Sequence, residues 1–190
     1  YQSRIRPNYD LDIIKVLTGV RRCGKSVLMS QIRDEILDSG VDADHIIWIN
    51  YEDMAFERMK TATAMNDHIV GLIRDGSKHY IFLDEVQHVK GFEKVLASLK
   101  ATRNVSIFVT GSSSVLLSGR MATLLVGRCI EFRIQPLSYG ESLELMEANG
   151  IRMEDPLNDY LVYGGFPQRF DYPREEDRIR YLGDLFTGIV

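Results

Sequence analysis

The chain has 190 residues, of which 45% are hydrophobic and 26% charged, and its formal net charge is −4. This length suits one domain, or one domain with part of another, and the composition can form one packed core. No apolar run approaches the roughly 20 residues that span a bilayer, and two cysteines do not make a disulfide framework. We therefore expect a cytoplasmic protein with no membrane partner. Its scattered histidines are not expected to bind a metal.

The charge is distributed unevenly along the chain. Residues 1–33 carry seven basic and two acidic side chains, and residues 141–190 carry five basic and eleven acidic ones. A basic N-terminal part suits a polyanion such as a nucleotide. The whole lacks the strongly basic character of a nucleic-acid-binding domain.

Short apolar or β-branched runs predict strands, in chain order, at 13–18, 45–51, 80–84, 105–110 and 129–134. Helical patterns cover 25–39, 62–75, 91–102 and 138–149, and Gly40 and Gly76 stand where C-cap glycines follow the first two. Apolar strands that alternate with helices indicate a parallel sheet covered on both faces, a doubly wound α/β fold. Its ligand should bind at the carboxyl ends of the strands.

After Pro136 the strand patterns stop. We expect a nucleotide-binding core over residues 1–137 and a helical segment over 138–190, broken by "YGGFPQ" at 163–168. The last helical pattern runs to the final residue without a cap, so we expect the chain to be part of a longer protein. Its apolar positions are Ile179, Leu182, Leu185, Phe186 and Ile189.

The first predicted strand is followed by "GVRRCGKS", which matches G-x-x-x-x-G-K-[ST] without a substitution. Glycines let such a loop turn its backbone N–H groups inward as an anion nest, and the helix that follows adds its positive N-terminal end. Lys25 is predicted to reach the β- and γ-phosphates, and Ser26 to ligate Mg²⁺. The predicted nucleotide contacts are Gly19, Val20, Arg21, Arg22, Cys23, Gly24, Lys25, Ser26 and Val27.

Three residues inside the loop have open roles. Arg21 and Arg22 could hold phosphate, face a neighbouring subunit or simply be solvated. Cys23 is expected to fill a small pocket, and a redox role is the alternative, because a lysine and a helix N-terminus favour the thiolate.

A second acidic motif, "HYIFLDEVQ", ends the third predicted strand with Asp84. This carboxylate is predicted to hold Mg²⁺, and Glu85 beside it to polarise the attacking water as the general base. The chain has no guanine-reading "NKxD" motif, and a small-metabolite kinase would not usually need a water-activating Glu after the Mg²⁺ carboxylate. Hydrolysis is therefore favoured over phosphoryl transfer.

Polar residues follow the fourth predicted strand in "VSIFVTGSSSVLLSG". Thr110 and Ser112 are placed to sense the γ-phosphate, with Ser113 as a substitute; a turn with a helix N-cap at Ser113 or Ser114 is the alternative. Arg128, ahead of the last strand, could complete a neighbour's site as an arginine finger, or form a surface ion pair. Arg120 is a weaker candidate for that role.

Together these motifs resemble the AAA+ ATPases. More narrowly, "TGSS", "GR" followed by "PLSYGE", and "GGFP" are similar to a prokaryotic group in which an AAA-type domain precedes a C-terminal domain of unknown function. The resemblance implies a P-loop NTPase sheet of order 5-1-4-3-2, ATP rather than GTP, and oligomeric assembly, with Arg128 at the finger position. Adenine contacts are unassigned, and the segment from Arg4 to Asp12 is the natural place for them.

Three functions follow from this reading. The chain is expected to be an Mg²⁺-dependent ATPase that couples hydrolysis to a conformational change on an unknown protein partner. Alternatives are a nucleotide-dependent switch or scaffold with little turnover, and a DNA-handling machine. An acidic chain gives the last of these no direct support.

Overall fold

The computed structural model describes residues 1–111 and 127–189. Within that part of the chain a five-stranded parallel sheet has the order β2-β3-β4-β1-β5, which is 5-1-4-3-2 when read from the other edge. The predicted α/β fold and strand order are confirmed. The strands are β1 Ile14–Thr18, β2 Ile46–Asn50, β3 His79–Asp84, β4 Val105–Gly111 and β5 Cys129–Arg133.

The helices that the structure describes are α1 Gln2–Ile5, α2 Lys25–Asp38, α3 Ala62–Leu72, α4 Phe92–Thr102, α5 Tyr139–Ala148, α6 Pro156–Tyr163 and α7 Glu175–Ile189. The helices α2 to α5 lie close to the four helical patterns of the sequence, α6 and α7 fall in the segment expected to be helical, and no pattern predicted α1. None of these described helices is long and apolar enough to cross a lipid bilayer.

The three inner strands β3, β4 and β1 are buried along their whole length, whereas β2 alternates between buried and half-buried positions. On one face of the sheet, three aromatic rings form a row across β2, β3 and β4. Phe82 stacks on Phe108 with ring centroids 4.8 Å apart, and Trp48 stacks on Phe82 at 5.7 Å. Arg33 of α2 lies over the Trp48 ring at 4.9 Å, which places α2 on this face.

The opposite face carries the aliphatic core. Strand residues such as Val16, Ile81 and Val109 pack there with Met65 of α3 and Leu96 of α4, all at most 1% exposed. Helices therefore cover both faces of the sheet, as the continuous apolar strands predict.

The chain consists of two compact units. The first contains Tyr1–Thr18 and Lys25–Arg133, and so includes the whole sheet. The second contains Gly19–Gly24 together with the residues from Ile134 onward. The boundary that the sequence suggests after residue 137 stays a prediction. The sequence patterns did not indicate that the phosphate loop belongs to the same compact unit as the C-terminal residues.

One predicted helix end is wrong. Gly40 does follow α2 in a left-handed conformation, with φ +96°. The helix α3, however, ends at Leu72, before the predicted Gly76. Its end is explained by Arg74, whose backbone N–H donates to Nε2 of His79 at 3.2 Å instead of to a helical carbonyl.

Lys15 of β1 is completely buried on the α2 face of the sheet. Its Nζ donates to the carbonyl oxygens of Tyr9 (3.2 Å) and Leu11 (2.9 Å) and to Oγ of Ser106 (2.8 Å). Burial, together with the positive charge of Lys78, lowers the pKa of Lys15 from 10.5 to about 7. The charges of Asp10, Asp12 and Lys100 also act on it, with the two carboxylates opposing the shift.

The buried lysine makes stability depend on pH. Between about pH 7 and 10 the unfolded chain keeps the Lys15 proton that the folded chain has released, so the free energy of unfolding should rise with pH. Tyr9 and Tyr80, whose pKa values are raised by burial, oppose this only above that range. In Lys15→Met the rise should largely disappear in urea titrations at pH 7, 8 and 9. It should persist when Lys94, an exposed lysine of α4, is changed to Met; equal slopes in the two variants would contradict the assignment.

Candidate functional site

Asp84 and Thr110 come together at the carboxyl ends of β3 and β4, which are neighbouring strands. Asp84 is 3% exposed and Thr110 is completely buried. The Thr110 hydroxyl donates to Oδ1 of Asp84 and accepts from the backbone N–H of Glu85 at 3.0 Å. One threonine therefore orients both members of the acidic pair that the sequence singles out.

Glu85 has a left-handed backbone, with φ +51° and ψ +48°. Among the described residues other than glycine, only Arg22 shares a positive φ, at +65°. Such a conformation costs on the order of 1–3 kcal/mol, and residues that adopt it cluster at functional sites. Both strained residues belong to the two motifs that sequence analysis assigns to the nucleotide.

Lys25, the first residue of α2, lies beside Glu85. Its Nζ is 3.8 Å from Oε1 of Glu85, and the two side chains are 4% and 17% exposed. The second oxygen, Oε2, accepts from Nε2 of Gln87. The structure thus brings Lys25, Asp84, Glu85 and Thr110 together in one cluster, and Gln87 is a neighbour that sequence reasoning missed.

Glu131 of β5 makes a second contact that sequence reasoning missed. Its Oε1 accepts from the hydroxyl of Thr18, the buried last residue of β1. β5 pairs with β1 in parallel, with Val16 opposite Glu131. The contact depends on strand order and register, so the sequence around Glu131 carried no local signal for it.

Residues Gly19–Gly24 of the predicted phosphate loop belong to the second compact unit. Gly19 has φ +153°, and a Cβ there would lie 2.3 Å from the carbonyl oxygen of Ile134, so no other residue fits. Cys23 is 2% exposed and its Sγ lies 3.5 Å from the same oxygen, which agrees with the predicted small pocket. Arg22 donates through Nη1 to Oε1 of Gln168 at 3.0 Å.

A cavity of 430 Å³ adjoins the two loop arginines within this unit. Arg21 and Arg22 line it together with Arg180 and Tyr181 of α7. Burial raises the pKa of the Tyr181 hydroxyl, and the charge of Arg22 offsets part of that rise.

Four further residues that the sequence singles out are not found in this cluster within the described ranges. Ser112, Ser113 and Arg120 lie outside the described residues. Arg128 is exposed, and its carbonyl oxygen accepts from the N–H of Ile14 at the amino end of β1. The length of β1, about 3.3 Å per residue, separates this edge from the carboxyl-end edge. Arg128 therefore cannot act on its own chain's cluster, and its role in trans stays a prediction.

The N-terminal segment, where adenine contacts were expected, packs on α2. Gln2 and Tyr9 donate to Oε2 of Glu35 at 2.7 and 3.0 Å, and Arg6 forms an ion pair with the same carboxylate. These contacts fix the segment to the helix that begins with Lys25. They leave the adenine assignment a prediction.

Two of the scattered histidines meet at the other end of β3. The His45 and His79 rings are 4.7 Å apart, and potential ligand atoms of His45, Asp75 and His79 lie within 4.8 Å of one another. The Nε2 atom of His79 accepts from the Arg74 N–H, and its Nδ1 lies 3.0 Å from the Ser77 carbonyl oxygen. Both nitrogens of His79 are thus used in hydrogen bonds, which explains its burial without a metal.

An open parallel sheet of this order, with a glycine-rich loop after β1 and an acidic pair after the strand two places away, defines a P-loop NTPase of the AAA+ type. Residues 12–143 match the family described as the AAA domain. The chain belongs to this family.

Curated relatives extend well beyond the matched region. A protein of Haemophilus influenzae described as uncharacterized is 38% identical over 186 residues, which is 95% of this chain and 46% of that protein. The uncharacterized protein MJ1544 of Methanocaldococcus jannaschii is 32% identical over 199 residues, 96% of this chain and 43% of its own length. The chain thus spans less than half the length of these relatives.

Solved structures share the fold at low sequence identity. AMPPCP-bound DnaA from Aquifex aeolicus aligns with a TM-score of 0.55 at 16% identity, covering 85% of this chain and 53% of that one. The Aeropyrum pernix ORC1 protein, solved in complex with DNA, aligns at 0.53 and 12% identity, covering 78% and 48%. At these identities the likeness extends to the fold alone.

Proposed function

We propose that the chain is an Mg²⁺-dependent ATPase module that couples hydrolysis to a conformational change acting on a partner. The observation that carries the proposal is the cluster at the carboxyl end of β3, where Lys25 and Glu85 approach within 3.8 Å beside a buried Asp84. Lys25 is the lysine of the phosphate-loop pattern and the first residue of α2, so its ammonium group would bind the β- and γ-phosphates that the loop amides hold.

The donor set suits a hard dication. One carboxylate oxygen of Asp84 takes the Thr110 hydroxyl, which leaves the other for a metal, and Ser26 is the second residue of α2. When bound, Mg²⁺ would neutralise charge on the β- and γ-phosphate oxygens. Glu85 would accept the proton of the attacking water, because its carboxylate is held beside Asp84 by the strained turn.

Thr110 takes a role different from the one first expected. Since its hydroxyl is engaged by Asp84 and by the Glu85 amide, we assign it as a positioning residue for both acids and not as a phosphate sensor. Thr110→Val should lower ATP turnover about 10- to 100-fold, because small misplacements of reacting groups carry costs of this size.

Thr110→Ser, which keeps the hydroxyl, is the matched control and should retain most of the turnover. The measurement is steady-state phosphate release by both variants, together with their thermal unfolding. Equal turnover in the valine and serine variants would remove Thr110 from the mechanism.

Arg128 would contribute only between copies of the chain. In a mixture of Arg128→Ala and Glu85→Gln, a copy lacking the base can donate its arginine to a copy that retains the base. Turnover above the sum of the separate variants should therefore appear. A mixture no more active than its components would leave Arg128 as a surface residue.

The direct test is ATP turnover and nucleotide binding by the purified protein with Mg²⁺ and with EDTA. Magnesium-dependent phosphate release supports the ATPase. Tight ATP binding with negligible turnover, with or without candidate partners, would favour the switch instead. Salt-sensitive DNA binding by the full-length protein would support the DNA-handling alternative.

A further inference from the structure

The segment Gly164–Gln168, which we call the GGFPQ segment, follows α6. It belongs to the same compact unit as phosphate-loop residues Gly19–Gly24. We propose that the GGFPQ segment positions the phosphate loop for nucleotide binding, with Gly165 and Gln168 as positioning residues. This inference rests on the proposed nucleotide-binding function of the loop.

The tip of the loop is held by Gln168. Its Oε1 accepts from Nη1 of Arg22 at 3.0 Å, across 146 residues of sequence. Arg22 has a left-handed backbone, φ +65°, a conformation that every residue other than glycine adopts at a cost. A glycine at this position would relieve the strain but could not bond to Gln168. The hydrogen bond of the arginine side chain therefore offsets the backbone strain and fixes the tip of the loop.

Both glycines of the loop lie close to other parts of the same unit. Pro167 is near Gly24, since a Cβ built there would lie 3.9 Å from Cγ of Pro167. At the other end, the Ile134 carbonyl oxygen comes so close to Gly19 that a Cβ there would be 2.3 Å away. The loop therefore lies between the GGFPQ segment and the chain that begins at Ile134.

These two supporting stretches are joined by Gly165. The N–H of Leu137 donates to the Gly165 carbonyl oxygen at 2.8 Å, and a Cβ at Gly165 would lie 1.8 Å from the Leu137 oxygen. Tyr160 of α6 donates to that same Leu137 oxygen at 3.0 Å. Even a methyl group at residue 165 must therefore push the GGFPQ segment away from Leu137. The position of both stretches against the phosphate loop then changes.

Support matters because a phosphate nest needs several amides pointing to one place at once. Fixing one residue's backbone costs roughly 1–2 kcal/mol, and a loop that is already ordered avoids that cost when the nucleotide binds. Contacts that never touch the nucleotide thereby increase its affinity. Neither Gly165 nor Gln168 needs to approach the phosphates for this effect.

The test compares the affinity of a fluorescent ATP analogue for the wild-type protein and four variants, alongside thermal unfolding without nucleotide. Gly165→Ala should bind at least about tenfold more weakly. Gly183→Ala is its matched control, because Gly183 is a helical glycine of α7 with nothing within 4 Å of its Cβ position. It should bind like the wild-type protein.

Gln168 tests the idea without a backbone clash. Gln168→Ala removes the acceptor for Arg22 and should weaken binding about three- to tenfold, whereas Gln168→Glu keeps an acceptor and should restore the affinity to within about twofold of wild type. This pair remains informative even where Gly165→Ala fails to fold.

The outcomes separate the two proposals. A wild-type protein that does not bind the analogue would overturn the proposed function itself. A wild-type protein that binds, with Gln168→Ala equal to Gln168→Glu, would overturn the positioning role alone. So would a folded Gly165→Ala whose unfolding temperature drops while its affinity is unchanged.

Discussion

Glu85→Gln should abolish most ATP turnover while leaving nucleotide binding intact. The amide keeps the size of the side chain but cannot accept a proton from water, and a positioned general base contributes about 10²- to 10⁴-fold to a rate. The left-handed turn at Glu85 should be undisturbed, because the substitution leaves the backbone unchanged. The hydrogen bond from the Glu85 N–H to the Thr110 hydroxyl should remain for the same reason. Phosphate release and analogue binding, measured on one preparation, check both halves of this expectation.

Glu147→Gln is the matched control. Glu147 is an exposed residue of α5 and has no part in the contacts described for the cluster, so the same chemical change there should leave turnover as it was. If Glu85→Gln hydrolyses ATP at the wild-type rate, another group activates the water and the assignment of the base is wrong.

Lys25→Ala should strongly weaken nucleotide binding itself. A charge-assisted contact to phosphate is worth about 1.5–3 kcal/mol, and its loss alone weakens affinity by up to about 100-fold. Turnover then falls because ATP is not held, in contrast to Glu85→Gln, in which ATP is held but not hydrolysed. Fluorescent-analogue titration distinguishes the two defects.

Lys94→Ala is the control for this change, since Lys94 is an exposed lysine of α4. It should bind nucleotide normally. An unaltered affinity in Lys25→Ala would contradict the reading of "GVRRCGKS" as a phosphate loop and, with it, the proposed function.

Much of the fold was predictable from local patterns. β1, β3 and β4 are apolar on both faces, a pattern typical of inner strands of a parallel sheet, and the structure buries all three along their whole length. The error at Gly76 shows the limit of this approach. There the backbone N–H of Arg74 donates to the ring of His79, five residues later, and α3 ends before it. The positions of capping glycines in the sequence do not predict such a contact.

The site was predictable wherever a motif is continuous in sequence. Lys25, Asp84 and Glu85 stand in two short patterns whose spacing reflects chemistry, and the structure brings them together. Thr110 was found for its place at the end of a strand, but its contacts with Asp84 and with the Glu85 amide were not. Which oxygen a hydroxyl binds depends on side-chain geometry across two strands, and no pattern along one strand records it.

The sequence by itself determined the parallel sheet, the phosphate loop and the acidic pair, because each depends on residues that are adjacent or regularly spaced along the chain. The tertiary structure alone decided the contacts of Glu131 with Thr18 and of Gln168 with Arg22, which join residues 113 and 146 positions apart. Such contacts follow from strand register and from the packing of the C-terminal segment. The physical reason is that a local pattern specifies backbone conformation and burial, whereas the partner of a polar side chain is fixed only when distant segments pack together.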